Sequence, residues 1–112
     1  MSSASLPPSG SWTFVTNHAA VLVCIARDPE IRIRDIADRV GITERAAQRI
    51  VADLANEGYV IRRANGRRNR YEVKTGRAMR HRLARHHEIG DLLALMLDGL
   101  DLEQLDAQST DA

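Results

Sequence analysis

Five arginines crowd the stretch RRANGRRNRYE, from Arg62 to Glu72, around a central Asn-Gly pair. Guanidinium groups at that density suit anion recognition, because each presents a planar fork of donors that matches phosphate or carboxylate oxygens. A second group of donors, Arg45, Gln48 and Arg49, lies a short way upstream and has the side-chain types that read base edges. Catalytic chemistry has no comparable foundation. The sequence offers no nucleophile with a partnered base, no glycine-rich phosphate loop and no paired carboxylates in an apolar setting, so neither an enzymatic activity nor a cofactor is expected.

The charge distribution points the same way. The formal net charge is only +1, yet between Ile31 and His87 there are fifteen Lys or Arg against six Asp or Glu, an excess of nine. From Glu88 onward there are seven acids and no Lys or Arg. Segregation of this kind makes a polyanion the expected partner for the middle of the chain. Cys24 is the single cysteine and sits in the apolar run AAVLVCIA, where a thiol behaves as a small buried hydrophobe. That run is too short to span a bilayer and no basic segment precedes it, so a cytoplasmic protein without a membrane partner is expected.

The donors need elements to hold them. Residues 1–14, rich in Ser, Pro and Gly, and residues 104–112 are expected to be flexible tails. The run TNHAAVLVCIARDP is apolar nearly all round, stops at Pro29 and has Thr16 or Asn17 to cap it, which predicts a buried first helix. IRIR, from Ile31 to Arg34, suggests a short strand or an extended lead-in. A short helix opened by Asp35 and ended by Gly41 follows. Thr43 then caps a further helix with Glu44 in its first turn. Along it Ala47, Ile50, Val51 and Leu54 recur at helical spacing and mark the buried face, which leaves Arg45, Gln48 and Arg49 outside. Gly58 ends this helix and Tyr59 to Ile61 begin a strand. Two short helices joined by a tight glycine turn, the second with an Arg and Gln face, have the form that fits a DNA major groove.

Asn-Gly between extended segments predicts a hairpin with Asn65 and Gly66 as its loop, since both tolerate the positive φ of a type I′ turn. In that register Ala64 faces Arg67, Arg63 faces Arg68, and Val60 faces Tyr71 at the base. Opposed arginines destabilise a sheet, so an anion at the tip would relieve the hairpin. Beyond it, positions 79, 83, 86, 90, 93, 97 and 100 form a four-three stripe of Met, Leu, His, Gly, Leu, Leu and Leu. The stripe predicts one helix across about 77–103, with Leu83, Gly90, Leu93, Met96 and Leu97 at the contact between two copies.

The stretch IRIRDIADRVGITERAAQRIVADLANEGYVIRR resembles the DNA-binding core of bacterial winged-helix transcription regulators of the MarR, ArsR and Lrp kind. The likeness rests on Ile36-Ala37, the Gly41-Ile42-Thr43 turn, Arg49-Ile50, Leu54 and the EGYV exit. It implies a mainly α winged helix-turn-helix domain over 15–76, with the hairpin as its wing. Together with the dimer expected from the C-terminal stripe, a homodimer on a pseudo-palindromic duplex is expected, with repression the simplest outcome. DNA contacts are expected from Thr43, Arg45, Gln48, Arg49, Arg62, Arg63, Asn65, Arg67, Arg68 and Arg70. His87 and Asp91 have a spacing that would hold a metal across a dimer, as in some ArsR-like sensors, but histidines in an Arg-rich stretch are better read as surface or capping groups, and no metal is expected. A small-molecule effector of unidentified class would fit between the wing domain and the dimer helices, with Trp12 and Phe14 as covers. Two other readings remain open: a winged-helix module for a protein partner, and an RNA-binding protein that uses the basic hairpin.

Overall fold

The fold is a winged helix-turn-helix, seen in a computed structural model that describes residues 13–97. Three helices come first: α1 (Asn17–Arg27), α2 (Ile33–Val40) and α3 (Glu44–Asn56). An antiparallel hairpin of β1 (Val60–Asn65) and β2 (Arg68–Val73) follows, and then a short α4 (Ile89–Met96). Trp12, Leu100 and most of the two expected tails lie outside the described residues.

Each helix start has a local cause. Thr16 caps α1 by accepting the Ala19 amide at 3.2 Å, and Thr43 caps α3 by accepting the Ala46 amide at 3.0 Å. α2 begins at Ile33, two residues before the expected Asp35, so IRIR is neither a strand nor wholly a lead-in. Ile31, which is buried, and the extended Arg32 form the lead-in, while Asp35 falls in the first helical turn, where its carboxylate meets the positive end of the dipole. Gly41 closes α2 with φ of +83°, in the left-handed region open to glycine. Only Gly41, Ile42 and Thr43 separate the two helices.

The core lies where α1, α2 and α3 meet the base of the hairpin. Ala47, Ile50, Val51 and Leu54 form the inner face of α3 as expected. Burial of Ile50, Val51 and Leu54 stabilises by about 1.5–3 kcal/mol each relative to exposure. Cys24 lies in the same core, and burial raises its thiol pKa above the usual value, so it packs as a neutral group.

The hairpin register differs from the expected one by two residues in its pairing. Asn65 pairs with Arg68, Arg63 with Arg70, Arg62 with Tyr71 and Val60 with Val73. The loop is Gly66-Arg67, not Asn65-Gly66. Gly66 has φ of +68° and, among the described residues, no non-glycine residue has positive φ, which is the type II′ pattern and asks for only one left-handed residue. A two-residue shift keeps every side chain on its own face, because the strand period is two. It also brings Val73 opposite Val60, and both are buried. The opposed arginines are therefore Arg63 and Arg70, and internal carboxylates take both.

The long helix expected from Met79 is not formed. Residues 80–87 make turns closed by a bridge between Ala78 and Glu88, and α4 starts only at Ile89. Three arginines and three histidines in RHRLARHH give a helix there little apolar face to bury. At Glu88 the chain does have a start signal, since its amide donates to Asp91 Oδ2 at 3.0 Å. The first-turn amides of Ile89 and Gly90 donate to the carbonyls of Arg77 (2.7 Å) and Thr75 (2.9 Å). A side chain at Gly90 would stand 3.1 Å from the Thr75 carbonyl, so the close approach that glycine permits is to the chain's own backbone. Leu93 and Leu97 are buried in the core of the same chain, whereas Leu83 and Leu95 are exposed.

Two predictions follow from this packing. Leu93→Ala lowers the stability of the isolated chain by about 2–5 kcal/mol in denaturant melts, while Leu95→Ala changes it by less than about 0.5 kcal/mol. A loss for Leu93→Ala that depends on protein concentration would instead put Leu93 between two copies. For the hairpin, hydrogen bonds from Lys74 and then Arg63 hold the Glu72 carboxyl pKa below its ordinary 4.5. A depressed folded pKa adds stability above the unfolded value that is lost as pH falls through the folded one. The thermal-stability advantage of the wild type over Glu72→Gln is thus present at pH 7 and disappears in acid below about pH 4.

Candidate nucleic-acid interface

The N-terminal half of α3 presents Thr43, Arg45, Gln48 and Arg49, all exposed. Their common outlook follows from the helix repeat, with the apolar positions held against α1 and α2. The turn that sets the angle of α3 is tied by its own backbone: the amides of Gly41 and Ile42 both donate to the Ala37 carbonyl, at 2.8 and 3.0 Å. Among the described residues Arg45 and Arg49 take part in no ion pair. The Thr43 hydroxyl already accepts the Ala46 amide but keeps its proton to donate, and the first amides of α3 face outward with it.

The same outer row of α3 changes sign along its length. Arg45 and Arg49 are followed at four-residue steps by Asp53 and Glu57. His18 Nε2 of α1 stands 2.8 Å from Asp53 Oδ2, and Arg80 Nη1 stands 3.4 Å from Glu57 Oε2. A polyanion is attracted to the first half of the helix and repelled by the second.

The hairpin joins this helix through Glu57, Gly58 and Tyr59 only. Gly58 takes φ of +84° at the helix exit, and the Tyr59 amide donates to the Leu54 carbonyl at 2.9 Å. The arginines of the hairpin divide into two groups. Arg63 Nη2 bonds Glu72 Oε1 at 3.0 Å, with Lys74 Nζ on the other carboxylate oxygen at 2.8 Å, and Arg70 Nη1 bonds Glu30 Oε2 at 2.7 Å. Tyr71 reinforces the second link by donating its amide to the Pro29 carbonyl at 2.8 Å. Arg62, Arg67 and Arg68 are exposed and have no carboxylate partner among the described residues. Asn65 lies in β1 beside the loop and not within it.

Glu30 and Glu72 escaped the sequence reading. Glu72 could have been found from the two-residue period, which sets it on one face with Arg68 and Arg70. Glu30 is forty residues from its partner Arg70, and no local pattern reveals it. His87 and Asp91 do approach, at 3.4 Å, but among the described residues no three His, Cys, Asp or Glu gather as a metal site would require. Nor is any described helix long and apolar enough to cross a membrane.

Comparison with known proteins agrees with this geometry. No curated protein matches the chain. Residues 16–61, from the cap of α1 to the second residue of β1, match the family described as winged helix-turn-helix DNA-binding. That match spans 46 of the 112 residues, and with the hairpin that follows it the segment has the winged helix-turn-helix fold.

Proposed function

We propose that the protein is a cytoplasmic transcription regulator of the bacterial MarR, ArsR and Lrp kind, which binds a specific double-stranded DNA site as a homodimer and represses by occupying a promoter. It acts by binding and not by catalysis. The observation that carries this reading is the exposed Arg45, Gln48 and Arg49 on a capped helix, with no carboxylate among the described residues taking either arginine. In the complex these three side chains reach base edges in the major groove. Thr43 and the α3 amides hold a phosphate. Arg62, Arg67 and Arg68 supply backbone contacts, with an arginine entering a narrow minor groove. Arg63, Asn65 and Arg70 flank them, and the carboxylates on Arg63 and Arg70 keep the hairpin in shape while it binds.

The dimer contact uses what the core leaves outside. Leu93, Leu97 and Gly90 are occupied within one chain, so Leu83, Leu95 and the half-buried Met96 are the groups offered to a second copy. Two-fold symmetry then sets the recognition helices about 34–36 Å apart and calls for a pseudo-palindromic site.

Selection from a random duplex library identifies the preferred site, and three variants test the roles. Gln48→Ala loses about 1–3 kcal/mol of discrimination at one base position; equal loss on cognate and random DNA would remove it as a reader. Arg67→Ala with Arg68→Ala weakens all duplexes and reduces the salt slope by about one to two units. In sedimentation equilibrium the wild type is a dimer and Leu95→Asp a monomer; a monomeric wild type on its DNA would contradict the symmetric arrangement.

A further inference from the structure

The acidic end of α3 borders a cleft that the DNA reading does not use. Its volume is about 750 Å³, and its lining includes Leu22 of α1, Leu54 and Tyr59 at the end of α3, Met79, and Ile89 and Leu92 at α4. Small-molecule sites run to roughly 300–1,000 Å³ and join an apolar lining to a few polar groups, which is the make-up found here.

The polar groups decide what kind of molecule fits. Asp53 and Glu57 both line the cleft from α3. Carboxylates four residues apart on a helix stand about 5–6 Å apart at Cβ, a gap that one positive group can bridge. They also lie at the C-terminal end of α3, where the aligned carbonyls add negative potential. The permanent cation set against them is Arg80, whose side chain is 68% exposed and 3.4 Å from Glu57. Exposed pairs of this kind contribute little, so a ligand's cation can replace the guanidinium at small cost. An anion would be repelled by the carboxylates, and a neutral molecule would gain from them only through hydrogen bonds that it donates. The aromatic ring of Tyr59 in the same lining favours a positive group further.

We propose that this cleft is a binding site for a small organic cation with an apolar body, such as a lipophilic amine or onium ion. The apolar part lies on Leu22, Leu54 and Leu92, and the positive centre between Asp53 and Glu57. The proposal does not rest on the DNA reading, since Asp53 and Glu57 lie at the far end of the row that Arg45 and Arg49 begin, and none of the cleft residues is a DNA donor or part of the hairpin strands.

Calorimetric titration of the full chain with methyltriphenylphosphonium, beside neutral triphenylphosphine oxide of nearly the same shape, tests it. The cation is expected to bind at least about ten-fold more tightly than the neutral compound. The double variant Asp53→Asn with Glu57→Gln is expected to lose that preference and still bind both weakly, whereas Arg67→Ala with Arg68→Ala leaves it unchanged. Equal binding of the two compounds by the wild type, or binding of neither, would overturn the proposal. So would a preference that survives the loss of both carboxylates. The comparison of the two compounds needs no variant, and because both carboxylates are exposed the double variant is expected to keep the wild-type circular dichroism.

Discussion

Everything the protein offers to a ligand depends on how α3 is seated. Its inner face is buried against α1 and α2, and its entry is fixed by three residues, Gly41 in the left-handed region, Ile42 folded back onto the core, and Thr43 as the cap. With those degrees of freedom removed, the outer face has one orientation relative to the rest of the domain. Arg45, Gln48 and Arg49 are then held by the backbone of a rigid element, and binding does not have to order that backbone. The tip of the hairpin is held less directly. Its base is clamped by the Arg70–Glu30 and Arg63–Glu72 pairs and by the Tyr71 to Pro29 bond, while its loop arginines project beyond those clamps.

The change of sign along α3 divides the labour of one helix. The basic half suits a polyanion and the acidic half would repel it, so in the proposed complex a duplex meets the first turns of α3 and the hairpin tip. The acidic half is instead turned to the His18 ring and the Arg80 guanidinium, and to the apolar cleft between α1, α3 and α4. Arg80, His81 and Ala84 of the RHRLARHH segment border this second region, so Arg80 is not simply an extension of the basic surface.

Much of this was legible in the sequence where a local signal existed. The three helices, the Thr16 and Thr43 caps, the buried row of α3 and the existence of the hairpin all follow from periodicity and capping within a few residues. The misreadings share one cause, which is that a distant group outweighed a local pattern. Asn-Gly favours a type I′ loop in isolation, but burying Val73 against Val60 selects the neighbouring register with Gly66 leading the turn. The four-three stripe from Met79 looked like one helix because Leu83, Leu93 and Leu97 share a repeat. Leu93 and Leu97 are satisfied inside the chain's own core, and the carbonyls of Thr75 and Arg77 dock the start of α4. An effector site between the wing domain and the C-terminal helix, with Phe14 beside it, was expected, and the cleft lies there; its acidic lining was not legible, since its walls come from three parts of the chain separated by dozens of residues.

The most direct test of this division of α3 is amide chemical-shift mapping of the labelled protein as a short DNA duplex is added at low salt. The account predicts changes concentrated at Thr43 to Arg49 and Arg62 to Arg70, with the amides of Asp53 to Glu57 and of the 80–87 turns little affected. Changes centred on Asp53, Glu57 or the 80–87 turns, or no changes at all, would contradict it.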